Sequence, residues 1–259
     1  MTTVSIDLVD GAARATVLES GGYLRPLLLG TEGPCARIAL VGVCATLLAD
    51  DDVRLHIEVG SGVHLELVEP SGMVAYDARG GSAHWTADVH VGTGGSLIWR
   101  AAPFVVSDGA DVRRRTEIAL ADEALALVSE TLVLGRSHED GGQLRSSMRA
   151  TRARRELLVE ELDLRSPERR AAPGMLGDSR VLATVALLGT SPPEPATPAE
   201  TLLAGPGSLA RALARHAHEA DEALRTTWER RRCLVEQLTP TPPRTRSPSS
   251  APAREPEPT

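Results

Sequence analysis

The sequence predicts a mostly β protein: stacked β-hairpins in a β-sandwich or β-solenoid-like array, with one or two C-terminal α-helices. Three observations predict it. Apolar and polar residues alternate with period two through much of residues 1–190, a glycine-turned unit recurs 32 residues on, and three-and-four apolar spacing appears only beyond a proline cluster.

The first unit is VRLHIEVGSGVHLEL at 53–67. Val53, Leu55, Ile57 and Val59 alternate with Arg54, His56 and Glu58, then Gly60-Ser61-Gly62 turns the chain. Val63, Leu65 and Leu67 alternate with His64 and Glu66 on the way back. Period two on both sides of a glycine turn is the pattern of a hairpin with one buried face. The second unit, 85–99, repeats the V-G-x-G of 59–62 at 91–94. A weaker copy at 115–128 has Ala121-Asp122-Glu123 where the glycines stood, and 145–162 reads as two strands about an Arg-rich turn in preference to a helix at 154–162. Regularly spaced strands without intervening helices stack into an all-β body over 1–190.

A proline cluster at 191–198 makes 191–204 a linker. Residues 205–238 read as a helix: Pro206-Gly207 punctuates, Ser208 is the N-cap, and Leu209, Leu213, Ala217, Ala220, Leu224 and Trp228 follow at helical spacing. Its apolar stripe fits two destinations, the chain's own sheet or a partner. Residues 239–259 hold 7 of the 18 prolines and almost nothing apolar, the composition of a disordered tail.

The chain has 259 residues and net charge −7; 205–238 and the tail each carry +1, so the remaining 204 residues hold −9. An acidic body with 2% aromatic residues lacks the basic face and stacking platforms that nucleic acid requires. The longest apolar run, 39–49, is too short to span a membrane, and no secretory leader is visible. Cys35, Cys44 and Cys233 form no CxxC pair, which argues against a disulfide framework and a structural zinc site. A cytoplasmic protein is expected.

Catalytic patterns are missing. No G-x-S-x-G occurs, and a chain without lysine has no phosphate-binding G-x-x-x-x-G-K-[ST] loop. The single H-x-H, His216 and His218, falls in the predicted helix, where alternate residues point apart. His56 and His64, each beside a glutamate across the predicted hairpin, are weak candidates for a borderline N/O metal site; no fixed site is predicted, and ordinary cross-strand charge pairing explains them better.

Read in order, ADDDVRLHIEVGSGVHLEL (49–67), VHVGTGGSLIWRAAPFVVSDGADVRRRTEIAL (89–120), LVSETLVLGRSHEDGGQLRSSMRA (127–150), LLVEELDL (157–164) and GDSRVLATVALLG (177–189) resemble the UreD (UreH) family of urease accessory proteins. The order and spacing of these stretches carry the resemblance, including Glu130 and Arg136 in an E-x-x-x-L-G-R-like element. The chain departs from the family where Ala49-Asp50 replaces two glycines before Asp51, and where Arg100-Ala101-Ala102 follows Trp99 in place of an early proline.

The resemblance implies a non-enzymatic scaffold that binds the urease apoprotein and UreF-like and UreG-like accessory proteins and helps deliver nickel. No tightly bound cofactor is expected, only transient nickel. Asp51, Glu117, Glu130, Glu160 and Glu161 are the nickel-path candidates. Arg136, Leu209, Leu213, Leu224 and Trp228 are the partner-binding candidates, with the 205–238 helix docking the UreF-like protein and an exposed apolar patch facing partners. The competing readings are a cupin-like metalloenzyme holding metal through His56 and His64, and a generic β interaction module.

Overall fold

In a computed structural model, which describes residues 1–44 and 46–239, the chain forms two β-sheets wound as a solenoid, with a helix laid on one outer face. Two antiparallel hairpins begin it: β1 (Thr2–Val9) with β2 (Ala12–Glu19), and β3 (Leu24–Glu32) with β4 (Cys35–Gly42). The two-residue strand β5 (Thr46–Leu47) follows. The repeated units come next: β6 (Asp52–Val59), β7 (His64–Val68) and β8 (Met73–Ala75); then β9 (Ala83–Val91), β10 (Ser96–Arg100) and β11 (Phe104–Val106); then β12 (Asp111–Leu120) and β13 (Leu125–Leu134). A third hairpin joins β14 (Gln143–Arg152) to β15 (Arg155–Asp163), and a single helical turn, α1 (Pro167–Ala171), leads on. The chain closes with β16 (Val181–Leu188), β17 (Glu200–Leu202), β18 (Gly207–Ala214) and α2 (Ala217–Leu238).

The predicted strands form, but three of the predicted hairpins are arches. β6 pairs in parallel with β1 and β9 in a seven-stranded sheet, whereas β7 pairs in parallel with β4 and β10 in an eleven-stranded one. The glycine turn therefore carries the chain from one sheet to the other, and the next coil stacks on top. Val53 lies beside Trp85 and His64 beside Ser96, so the 32-residue spacing is one turn of the solenoid. The following turn advances 29 residues, from Trp85 to Arg114 and from Ser96 to Leu125.

One residue in each arch is left-handed: Gly62 at φ 68°, Gly94 at φ 65° and, in the weaker copy, Glu123 at φ 59°. Glycine takes that region without steric cost, and Glu123 adopts it at some strain. Stacking also demands close backbone approach at Gly92, where a Cβ would lie 2.7 Å from Ser61 N.

Two apolar clusters result. The larger fills the interior with the inward residues of both sheets, among them Ile57, Val89, Trp99 and Ile118. The smaller lies on the outer face of the larger sheet, where Leu127, Val181, Ala183, Val185, Leu187 and Ala210 meet Ala220, Leu224, Trp228 and Val235 of α2. Burial on both faces explains why every residue of β16 is buried and all but Thr184 are apolar.

The predicted 205–238 helix is corrected. Residues 207–214 are strand β18, and α2 starts at Ala217, with His216 rather than Ser208 as N-cap. Leu209 and Leu213 satisfy both helical spacing and alternation with Ala210, Ala212 and Ala214; the antiparallel partner β16 decides for the strand. The proline-rich stretch is also more than a connector, since β17 lies within it and pairs with β18. Within the predicted tail, residues 240–259 lie outside the described residues.

Candidate functional site

Alternation on β12 points Val112, Arg114, Thr116 and Ile118 into the solenoid and Arg113, Arg115 and Ala119 outward. Arg114, 5% exposed, forms an ion pair with Glu130 of β13, itself 7% exposed. Arg114 Nη1 also donates to Thr116 Oγ1 at 3.2 Å, and its guanidinium carbon lies 4.0 Å from the Trp85 ring centre. Glu69 stands close by, accepting from Trp99 Nε1 at 2.8 Å and from the Ala102 amide at 3.1 Å. Desolvation pushes the Glu69 carboxyl up, against the pull of those two donors and of Arg114. The same burial brings Arg114 down to about 10, so it remains a cation at neutral pH.

A cavity of about 30 Å³ opens beside this group, lined by Glu69, Trp85, Phe104 and Arg114, with exposed Cys44, Ser71 and Gly72 along its rim. Arg114 Nε finds no hydrogen-bond acceptor among the described residues. Two carboxylates and one guanidinium leave the group at −1 with every chain charged.

The outward face of the seven-stranded sheet is different. Register aligns His56, Asp88 and Glu117 in one row and Glu58 and His90 in the next. Glu58 Oε1 lies 3.2 Å from His56 Nε2 and 3.4 Å from His90 Nδ1, and the imidazoles meet edge-on at 5.7 Å. Glu117 pairs with Arg115. These groups are solvated and form a polar ladder.

The predicted pairing of His56 with His64 across a hairpin does not occur, because the arch puts them in different sheets. His64 is buried with Nδ1 2.9 Å from Ser96 Oγ, and burial lowers its pKa. Among the described residues no group of three or more His, Cys, Asp or Glu side chains is set to hold a metal ion.

Comparison with known proteins gives the family. The family pattern described as UreD urease accessory protein matches residues 5–247. This chain belongs to the UreD family. It is 50% identical over 218 residues to urease accessory protein UreD 1 of Streptomyces griseus subsp. griseus, covering 82% of this chain and 84% of that one. It is 33% identical over 217 residues to urease accessory protein UreD of Cereibacter sphaeroides, covering 82% and 79%. To urease accessory protein UreD 2 of Saccharopolyspora erythraea it is 30% identical over 241 residues, covering 83% of each.

In this UreD-family chain the remaining candidates are dispersed. Asp51 ends the loop before β6, where it accepts from Tyr23 Oη and the Leu48 amide, both at 2.7 Å; that contact drives the Tyr23 phenol up to about 12. Glu160 on edge strand β15 pairs with Arg211, and desolvation raises its pKa, while Glu161 points outward and is exposed. Arg136 folds the 135–142 loop on itself, donating to Glu139 and lying 4.9 Å over the Tyr76 ring; those donors hold the Glu139 carboxyl down at about 2. The five nickel-path carboxylates therefore occupy four separate places.

Of the partner candidates, Leu224 and Trp228 are 4% and 7% exposed because they pack on the chain's own sheet. Leu209 packs against the interior cluster, and only Leu213, 48% exposed, faces solvent. Sequence reasoning missed Glu69 and Arg114. Parity was the available signal for Arg114, which occupies an inward position between Val112 and Thr116.

The membrane prediction has a narrow counterpart: among the described residues no helix is long and apolar enough to cross a bilayer.

Proposed function

We propose that this chain is a scaffold for urease maturation, acting in the cytoplasm: it binds the urease apoprotein together with UreF-like and UreG-like accessory proteins and helps hand nickel to the urease active site. The observation that carries this reading is the 50% identity to urease accessory protein UreD 1 over 82% of the chain. Nickel is cargo in this reading. Dispersed carboxylates, each tied to an arginine, a phenol or an amide or open to water, favour brief contact with a borderline cation over a closed cage that would retain it.

The partner surface excludes the buried stripe of α2. It comprises exposed Leu213, the charged outer face of α2 with Glu222, Arg225 and Glu229, and Leu27, Leu28 and Leu29, which are 44–55% exposed on the free edge of β3. A tagged full-length chain, incubated with urease apoprotein, UreF-like and UreG-like proteins, nickel and nucleotide under reducing conditions, is expected to co-elute with urease. A chain that elutes alone contradicts the reading.

A further inference from the structure

Helix α2 lies on an outer sheet face built mainly from small and β-branched residues: Val181, Ala183, Val185, Ala210, Ala212 and Ala214. Such a face offers a helix area with few deep holes to key its side chains, so burial alone favours several axial positions almost equally. Yet one of the best-satisfied ion pairs in the chain sits at this boundary. Arg231 of α2 and Glu200 of β17 are each 5% exposed, with Nε and Nη2 donating to the two carboxylate oxygens at 2.7 and 2.6 Å.

The pair is enclosed by further polar contacts. Glu200 accepts from Ser208 Oγ at 2.5 Å and from the Ala196 amide, while Arg231 Nη2 also donates to Glu194 O at 2.7 Å. Thr197 and Thr227 hydroxyls meet at 3.1 Å, and Arg230 donates to Ala196 O at 3.1 Å. The proline-rich stretch thus works as a strap against the helix, and its bonds to Thr227, Arg230 and Arg231 presuppose one position of α2.

We propose that Glu200 and Arg231 are positioning residues that lock the axial register of α2 on the sheet. A buried bidentate pair tolerates little displacement, because a slide of one helical turn, ~5.4 Å, would leave both charges buried and alone. The apolar stripe supplies the attachment, and the pair selects one position from those the smooth face allows. That position fixes where along the sheet the outward α2 side chains, including Glu222, Arg225 and Glu229, are presented. The inference concerns the helix within this chain and holds or fails independently of the urease reading.

The chain's own cysteines allow a direct test. Cys233 on α2 and Cys44 on the body are exposed, whereas Cys35 is buried. Spin labels on Cys44 and Cys233 of the full chain, read by double electron–electron resonance, should give one narrow distance distribution. In Glu200→Leu/Arg231→Met, which replaces both charges by apolar groups, melting should stay within about 4 °C of the parent. Its distance distribution should nevertheless broaden, or shift by about one turn (~5.4 Å). Arg231→Lys, which keeps the charge but loses the fork, should broaden it as well and decides the matter if the double variant does not fold. An unchanged narrow peak in a folded variant overturns the lock.

Discussion

Neighbouring residues on β12 enter two ion pairs of the same chemistry in opposite surroundings. Arg114 points inward to Glu130, with both side chains under 10% exposed; Arg115 points outward to Glu117, with side chains 58% and 36% exposed. One register step separates a charge that must be matched from one that water already satisfies. The difference teaches that a carboxylate's place in this solenoid, more than its identity, sets what it can do. Glu130 is committed to its arginine inside the core, while Glu117 is free to exchange partners at the surface.

The largest effect should follow from removing the inner cation. Arg114→Met leaves Glu130 and part-buried Glu69 without it, and a denaturant melt should show a loss of ~3–5 kcal/mol. A loss below about 1 kcal/mol would erase the distinction between the two pairs. Adding Glu130→Leu to that variant should recover more than half of the loss, since apolar replacement of both partners removes the stranded charge; no recovery would mean that packing around Trp85, not charge, is what Arg114 supplies.

The Tyr23–Asp51 contact falls between the two cases. Asp51→Asn should bring one of the two tyrosines from about 12 back toward its ordinary 10, read as phenolate absorbance against pH. The sign is fixed: a phenol raised in the folded state stabilises fully below pH 10, and that contribution disappears as pH rises through 12. An unmoved titration would show that the hydrogen bond is not the cause. The smallest effect belongs to the outer pair, where Arg115→Met should change stability by no more than ~1 kcal/mol. A larger loss would mean that the polar ladder is cooperative.

The strands of the body were legible because a half-buried strand writes its alternation into the sequence. Which strands pair was not, because period two says nothing about the partner. The turns hold part of the distinction. Hairpins β1–β2 and β14–β15 turn through two left-handed residues, Asp10 with Gly11 and Ala153 with Arg154, whereas hairpin β3–β4 turns with Gly33 alone. The arches at Gly62, Gly94 and Glu123 use one. At the C-terminal end, Leu209 and Leu213 fitted two periods at once, and only pairing with β16 separates them.

The site was less legible than the fold. Glu130 stood out by resemblance, but its partner Arg114 sits across the arch on β12, and Glu69, which feels the same guanidinium, comes from an earlier coil, so only the fold brings the three to one place. His56 and His64 looked adjacent because the arch was taken for a hairpin. Trp228 and Leu224 marked a real apolar stripe, whose destination depends on the bare outer face of β16 and β18.

The central claim is that this chain acts in urease maturation. Urease specific activity in cells where it is the sole member of its family, with urease protein level held constant, tests that most directly. Deletion should abolish most of the activity and the intact gene should restore it; full activity in its absence would contradict the account.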